Sequence, residues 1–187
     1  KEKELLGYLR EIIDTLQEDI TSSARESYAE LERKKQKELE EARSLIQKED
    51  IDKADALLRK LEREHEGDFE LKIEIADIWL NAEQYNKAIT HLKNAYKDNP
   101  SSVHVFNRLG MALRKLGRVE DSEKAYKQAL NLCPKDEYLH FNLGRLYLEN
   151  KAWDKAIKSA ERAMSVNPDF TEAEKMYNFA RKKLEQS

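Results

Sequence analysis

One cysteine, three prolines and five glycines in 187 residues leave little with which to staple or punctuate a chain. The lone Cys133 excludes an internal disulfide and any cysteine-cluster metal site, and it suits a reducing, cytoplasmic setting. No apolar run approaches the roughly 18 residues that a membrane-spanning helix needs, so insertion into a bilayer is not expected, and nothing resembles a signal peptide. A net charge of −3 gives no concentrated basic face to displace counterions from phosphate, so nucleic acid is not an expected partner. There is no glycine-rich phosphate loop, nucleophile elbow or metal-binding histidine pair, and the four histidines are scattered at 65, 91, 104 and 140. These absences lead us to expect no catalytic residues, no cofactor, no metal and no enzymatic activity.

What is present is charge and helix-forming residues. With 38% of positions charged and a mean hydropathy of −0.88, apolar material suffices for a thin, elongated core rather than a thick one. Ala, Leu, Glu, Lys, Gln and Arg dominate, which predicts helix nearly throughout and no sheet. Charge divides unevenly: residues 1–68 hold 14 Lys/Arg against 20 Asp/Glu, and residues 69–187 hold 20 against 17. The chain begins at Lys1 rather than Met, as expected of a piece of a longer protein.

The prolines reveal an internal period, because Pro100, Pro134 and Pro168 stand 34 residues apart. Gly110 and Gly144 align at that step with Ala76 and Ala42, and Ala88 and Ala156 align with Ser122 and Ala54. Ala95, Ala129 and Ala163 form a further small column. Large residues recur as Leu45, Trp79, Leu113 and Tyr147, and as Ile51, Tyr85, Val119 and Trp153. Small residues on the first helix of a hairpin let it approach the second closely, and the large ones fill the surrounding space. Asp52, Asn86 and Asp154 precede apolar runs where a side-chain oxygen can cap a second helix, and each proline ends a hairpin.

The columns Phe106, Leu109, Gly110, Leu113, Tyr126, Ala129 and Pro134 resemble the tetratricopeptide repeat, as do Leu143, Gly144, Tyr147, Ala156, Ala163 and Pro168. The resemblance implies an all-α fold, a right-handed α-solenoid of antiparallel helix hairpins. Repeats are read at 69–102, 103–136 and 137–170, with a degenerate one at 35–68 that lacks the proline and carries Glu41 in an apolar column. Residues 171–187 resemble the capping helix that closes such arrays. The family also implies a protein or peptide partner, held by the first helices of successive hairpins. By repeat alignment that stripe is Ile73 and Asp77, then His104, Asn107, Met111 and Arg114, then Tyr138, Phe141, Arg145 and Leu148, then Lys175, Phe179 and Lys182. Its cations suit carboxylates and its aromatics supply buried area, so an acidic and apolar segment is the expected visitor. The lysine–asparagine clamp that some family members use on chaperone tails is missing, since the aligned pairs are Ile73 with Asp77, Asn107 with Met111, and Phe141 with Arg145.

Residues 1–34 leave the repeat columns. Leu5, Leu9, Ile12, Leu16 and Ile20 instead follow three- and four-residue spacing and predict one apolar stripe on a helical arm. That arm reads as a coiled-coil or homodimerisation helix, as a helix packed on the first hairpin, or as the tail of a further domain. Two functions follow: an adaptor or scaffold that grips a partner in its groove, or a regulatory or oligomerisation module of a larger signalling protein. Bacterial response regulators with a receiver followed by such repeats resemble the second arrangement.

Overall fold

The computed structural model describes the backbone of residues 2–186 and the side chains of residues 17, 18 and 20–186. Among the described residues there are nine helices and no strand. The chain forms two compact units, Lys1–Glu64 and His65–Ser187.

In the first unit, α1 (Glu2–Gln47) runs without a break past residue 34, and α2 (Ile51–Glu64) folds back along its C-terminal part. Lys60 Nζ lies 3.7 Å from Glu38 Oε1, which marks where the two helices meet. Leu39 and Ala42 of α1 and Ala54, Leu58 and Leu61 of α2 are fully buried.

The second unit stacks three hairpins and a last helix: α3 (Phe69–Asn81) with α4 (Tyr85–Asp98), α5 (Val103–Lys115) with α6 (Val119–Leu132), α7 (Glu137–Glu149) with α8 (Trp153–Val166), and α9 (Thr171–Glu185). Each proline stands two residues beyond the end of a second helix, where it cannot continue the hydrogen-bond ladder. Asn99 and Asn167 precede Pro100 and Pro168 and accept from the backbone N–H of Ser101 at 3.2 Å and Asp169 at 3.1 Å. Cys133 holds the same place before Pro134, and its thiol is free of any disulfide.

The caps differ from expectation. Asp52, Asn86 and Asp154 lie inside the first turns of α2, α4 and α8 rather than ahead of them. The N-cap positions of α4, α6 and α8 belong to Gln84, Arg118 and Ala152, none of which makes a side-chain cap bond. A tight turn explains this. Glu49, Glu83, Gly117 and Lys151 all adopt left-handed backbone, with φ of 61°, 57°, 70° and 56°. At each, two backbone N–H groups turn back into the preceding helix. Gly117 N–H donates to Arg114 O at 3.0 Å and Arg118 N–H to Leu113 O at 2.9 Å, with equivalents at the other three turns. The chain enters the next helix at once, leaving no residue spare to cap it. Side-chain caps instead open the first helices: Asp68 accepts from Leu71 N–H, Ser102 from Val105 N–H and Asp136 from Leu139 N–H.

The close approach predicted at the glycines is present. Ser122 Oγ of α6 donates to the Gly110 carbonyl of α5 at 2.7 Å, and a Cβ on Gly110 would come within 2.6 Å of the Tyr126 ring. Tyr126 is fully buried with Leu143, Leu146, Tyr147, Ala156 and Ala180. In its repeat column stand Leu92 and Ala160. Opposite Gly144 the Met176 side chain of α9 lies nearest.

Candidate functional site

The first helices α3, α5, α7 and α9 carry the predicted stripe, with α5 touching α7 and α7 touching α9. Three polar links tie them. Arg108 of α5 forks onto Asp77 of α3, with Nε and Nη2 donating at 2.6 and 2.7 Å. Asn142 of α7 donates to Asn107 of α5 at 3.1 Å, and the Arg114 guanidinium of α5 pairs with Glu149 of α7.

These links sort the stripe. Ile73 is buried in an apolar cluster with Ala76, Leu92, Ala95 and Val105. Arg114 is 6% exposed and engaged by Glu149, so its charge is directed inward between helices. Asp77 and Asn107 brace neighbouring helices, and Met111 and Leu148 pack partly buried against the Tyr126 cluster. His104, Tyr138, Arg145, Lys175, Phe179 and Lys182 are exposed. The exposed members therefore concentrate on α7 and α9, where rings and cations alternate.

Tyr138 is 60% exposed and leans on Phe170, 5.2 Å between ring centres. Phe141, half-buried, meets Phe170 at 5.0 Å, and the Arg145 guanidinium lies 6.0 Å from the Phe141 ring centre. On α9, Phe179 is 49% exposed with its ring edge to Trp153 of α8 at 6.4 Å. Lys183 Nζ lies 5.8 Å over the Phe179 ring. A cation over a ring face leaves the guanidinium edge available to a carboxylate, so one residue pair offers both charge and apolar area.

Phe170 is the residue that sequence reasoning missed. It occupies the N-cap place of α9, one repeat beyond Asp136, Ser102 and Asp68, and makes no side-chain cap bond. An aromatic in a column of capping residues was the available signal. Its ring is buried at 8% exposure and joins Tyr138 and Phe141 in one cluster.

The clearest titration shifts lie behind this face. Burial raises the Tyr126 phenol above the usual range, opposed by the Arg114 guanidinium. Burial also raises Tyr147 well above it, helped by a hydrogen bond to Glu123. Glu123 is held below the usual carboxylate range by its bond to Lys127. Among the described residues no group of three His, Cys, Asp or Glu side chains could hold a metal ion, and no helix is long and apolar enough to cross a membrane.

On the arm, Ile20 is 69% exposed. The side chains of Leu5, Leu9, Ile12 and Leu16 lie outside the described residues.

Family models described as "Tetratricopeptide repeat" match residues 39–103 and 137–170, and one described as "TPR repeat" matches 110–151. Superkiller protein 3 of Schizosaccharomyces pombe is 28% identical over 87 residues, 46% of this chain and 6% of that protein. Tetratricopeptide repeat protein 21B of Mus musculus is 30% identical over 115 residues, 62% of this chain and 9% of that protein. The chain thus spans less than a tenth of either relative. A crystal structure of MamA protein superposes with a TM-score of 0.65 at 21% identity, covering 80% of this chain and 81% of that one.

Proposed function

The chain belongs to the tetratricopeptide-repeat family as an α-solenoid built for protein interaction, and from that premise we propose that it is an adaptor holding an acidic, partly apolar polypeptide segment along α7 and α9. The observation that carries this reading is the exposed alternation of rings and cations: Tyr138, Arg145, Lys175, Phe179 and Lys182. Single exposed hydrophobics are ordinary, but aromatic side chains flanked by cations on adjoining helices match the composition of interaction hot spots. Asp77, Asn107 and Arg114 act in this reading as braces that set helix spacing rather than as contacts. We place the adaptor in a reducing cytoplasm, in keeping with one unpaired thiol, and assign it no catalysis.

The test is selection of a displayed random peptide library on the full chain, followed by affinity measurement on wild type and variants. Selected peptides are expected to be rich in Asp, Glu and large apolar residues. Arg145→Glu with Tyr138→Ala should weaken them at least about tenfold, the loss of one hot spot. Peptides that bind both forms equally would refute the site. A second reading, a self-association module acting through α1, is favoured by the exposure of Ile20.

A further inference from the structure

Several surface cations of the second unit hold a carboxylate one turn away in the chain: Arg118 with Asp121, Lys127 with Glu123 and Arg181 with Glu185. Arg145 of α7 has the same opportunity, because Glu149 stands four residues on along the same helix. It does not take it. Among the described residues Arg145 has no ion-pair partner, and its guanidinium lies by the Phe141 ring instead. Glu149 turns to Arg114 of α5.

Three effects settle that competition in favour of Arg114. Its side chain is 3% exposed, and a guanidinium so deep is costly to leave without a countercharge, whereas the exposed Arg145 keeps its water. Attraction between opposite charges also strengthens as the surroundings become less polar. Finally, a cation four residues ahead of a carboxylate pairs more weakly than the reverse order, so α7 itself holds Glu149 only loosely for Arg145.

We propose that Arg114 is a positioning residue for the α7–α9 face: by drawing Glu149 into the wall, it keeps Arg145 free to engage a carboxylate of the guest. This rests on the reading of that face given above, and Arg114 itself touches no guest. Without Arg114, Glu149 returns to its own helix, where it neutralises Arg145 and repels an acidic visitor. The Arg114–Glu149 pair adds no net charge beside Arg145, Glu149 alone adds one negative charge, and its amide adds none.

Arg114→Leu makes the test, because leucine stands at the same repeat place in Leu80 and Leu148, and exchanging a buried ion for a packed apolar residue is often tolerated. Modification of the full chain by phenylglyoxal, mapped by mass spectrometry, reads Arg145 with no guest present. Its rate is expected to fall about twofold or more in Arg114→Leu and to return to within about 1.5-fold of the parent in Arg114→Leu with Glu149→Gln. Far-UV circular dichroism checks that both variants remain helical. A fluorescein-labelled random copolymer of glutamate and tyrosine serves as the acidic probe. Its dissociation constant should rise about threefold or more in the single variant and recover in the double. An unchanged Arg145 rate in Arg114→Leu would overturn the proposal. So would a rate that stays low in the double variant, since Arg114 would then act through packing and not through charge. Expected modification rates with a copolymer that binds every form equally would support the positioning role and refute the acidic guest.

Discussion

Replacing Gly110 with alanine sets two magnitudes against each other. An alanine inside a helix gains roughly 1 kcal/mol over glycine from backbone entropy. The added methyl, however, would stand 2.6, 2.7 and 2.8 Å from three carbons of the Tyr126 ring, where ordinary contact begins near 3.4 Å. That ring is fully buried among Leu143, Leu146, Tyr147 and Ala156, so it has nowhere to turn and the helices must separate. Overpacking of this kind costs about 1–3 kcal/mol, and contacts under 3.0 Å against a ring that cannot move belong to the upper part of that range, about 2–3 kcal/mol, so the expected net loss is about 1–2 kcal/mol. For a chain of this size that lowers the melting temperature by about 2–8 °C. Gly144→Ala is the internal control. Its methyl meets the flexible end of Met176 and the Ser159 Cβ at 3.2 Å, so the helix gain should cancel the crowding to within about 0.5 kcal/mol. Thermal and urea unfolding followed at 222 nm read both variants. Combining Gly110→Ala with Tyr126→Leu, the residue type found at Leu92 in the same column, should recover part of the loss. A Gly110→Ala protein melting at or above the parent, or a Gly144→Ala protein losing more, would refute the close-packing account.

Asp68→Ala and Asp136→Ala should each cost about 1 kcal/mol in urea unfolding, while Asn86→Ala and Asp154→Ala change stability by a few tenths at most, since only the former pair caps a helix. Glu83→Gly and Lys151→Gly should stabilise by about 0.5–1 kcal/mol, because both residues hold left-handed backbone, and Gly117→Ala should destabilise by about 1 kcal/mol. Tyr126 and Tyr147 have raised pKa values in the fold, so their contribution is intact below the free phenol value near 10 and is lost as pH rises beyond it; melting temperature should fall above about pH 10, and less steeply in Tyr147→Phe. Glu123 is shifted the other way, so Glu123→Gln should remove a small stabilisation, below about 1 kcal/mol, that is present at neutral pH and disappears as pH falls through the carboxylate range.

The hairpins were legible because packing at Gly110, Tyr126 and Pro134 recurs with fixed chemistry every 34 residues. The turns between paired helices were less so. Their left-handed residue is Glu49, Glu83, Gly117 and Lys151, and only one of the four is the glycine that announces such a conformation. The same turn explains the misplaced caps, since Asp52, Asn86 and Asp154 lie two residues past the cap position, too deep to act. On the stripe, alignment gave positions but not pairings. Arg114 and Arg145 are both arginines of first helices, yet Glu149 takes the former into the wall while the latter stands over Phe141. Side-chain partners 35 residues apart leave no periodic trace. The helical arm was visible as spacing, and the structure carries it unbroken into the first hairpin as α1.

Phe170 fastens the start of α9 by ring packing instead of a hydrogen bond, and the ring it leans on, Tyr138, faces outward. The final helix is therefore latched by the same surface that is proposed to receive a guest. A guest covering Tyr138 should press the latch shut and be felt as slower amide exchange along α9, making the last helix of the stack a reporter of occupancy.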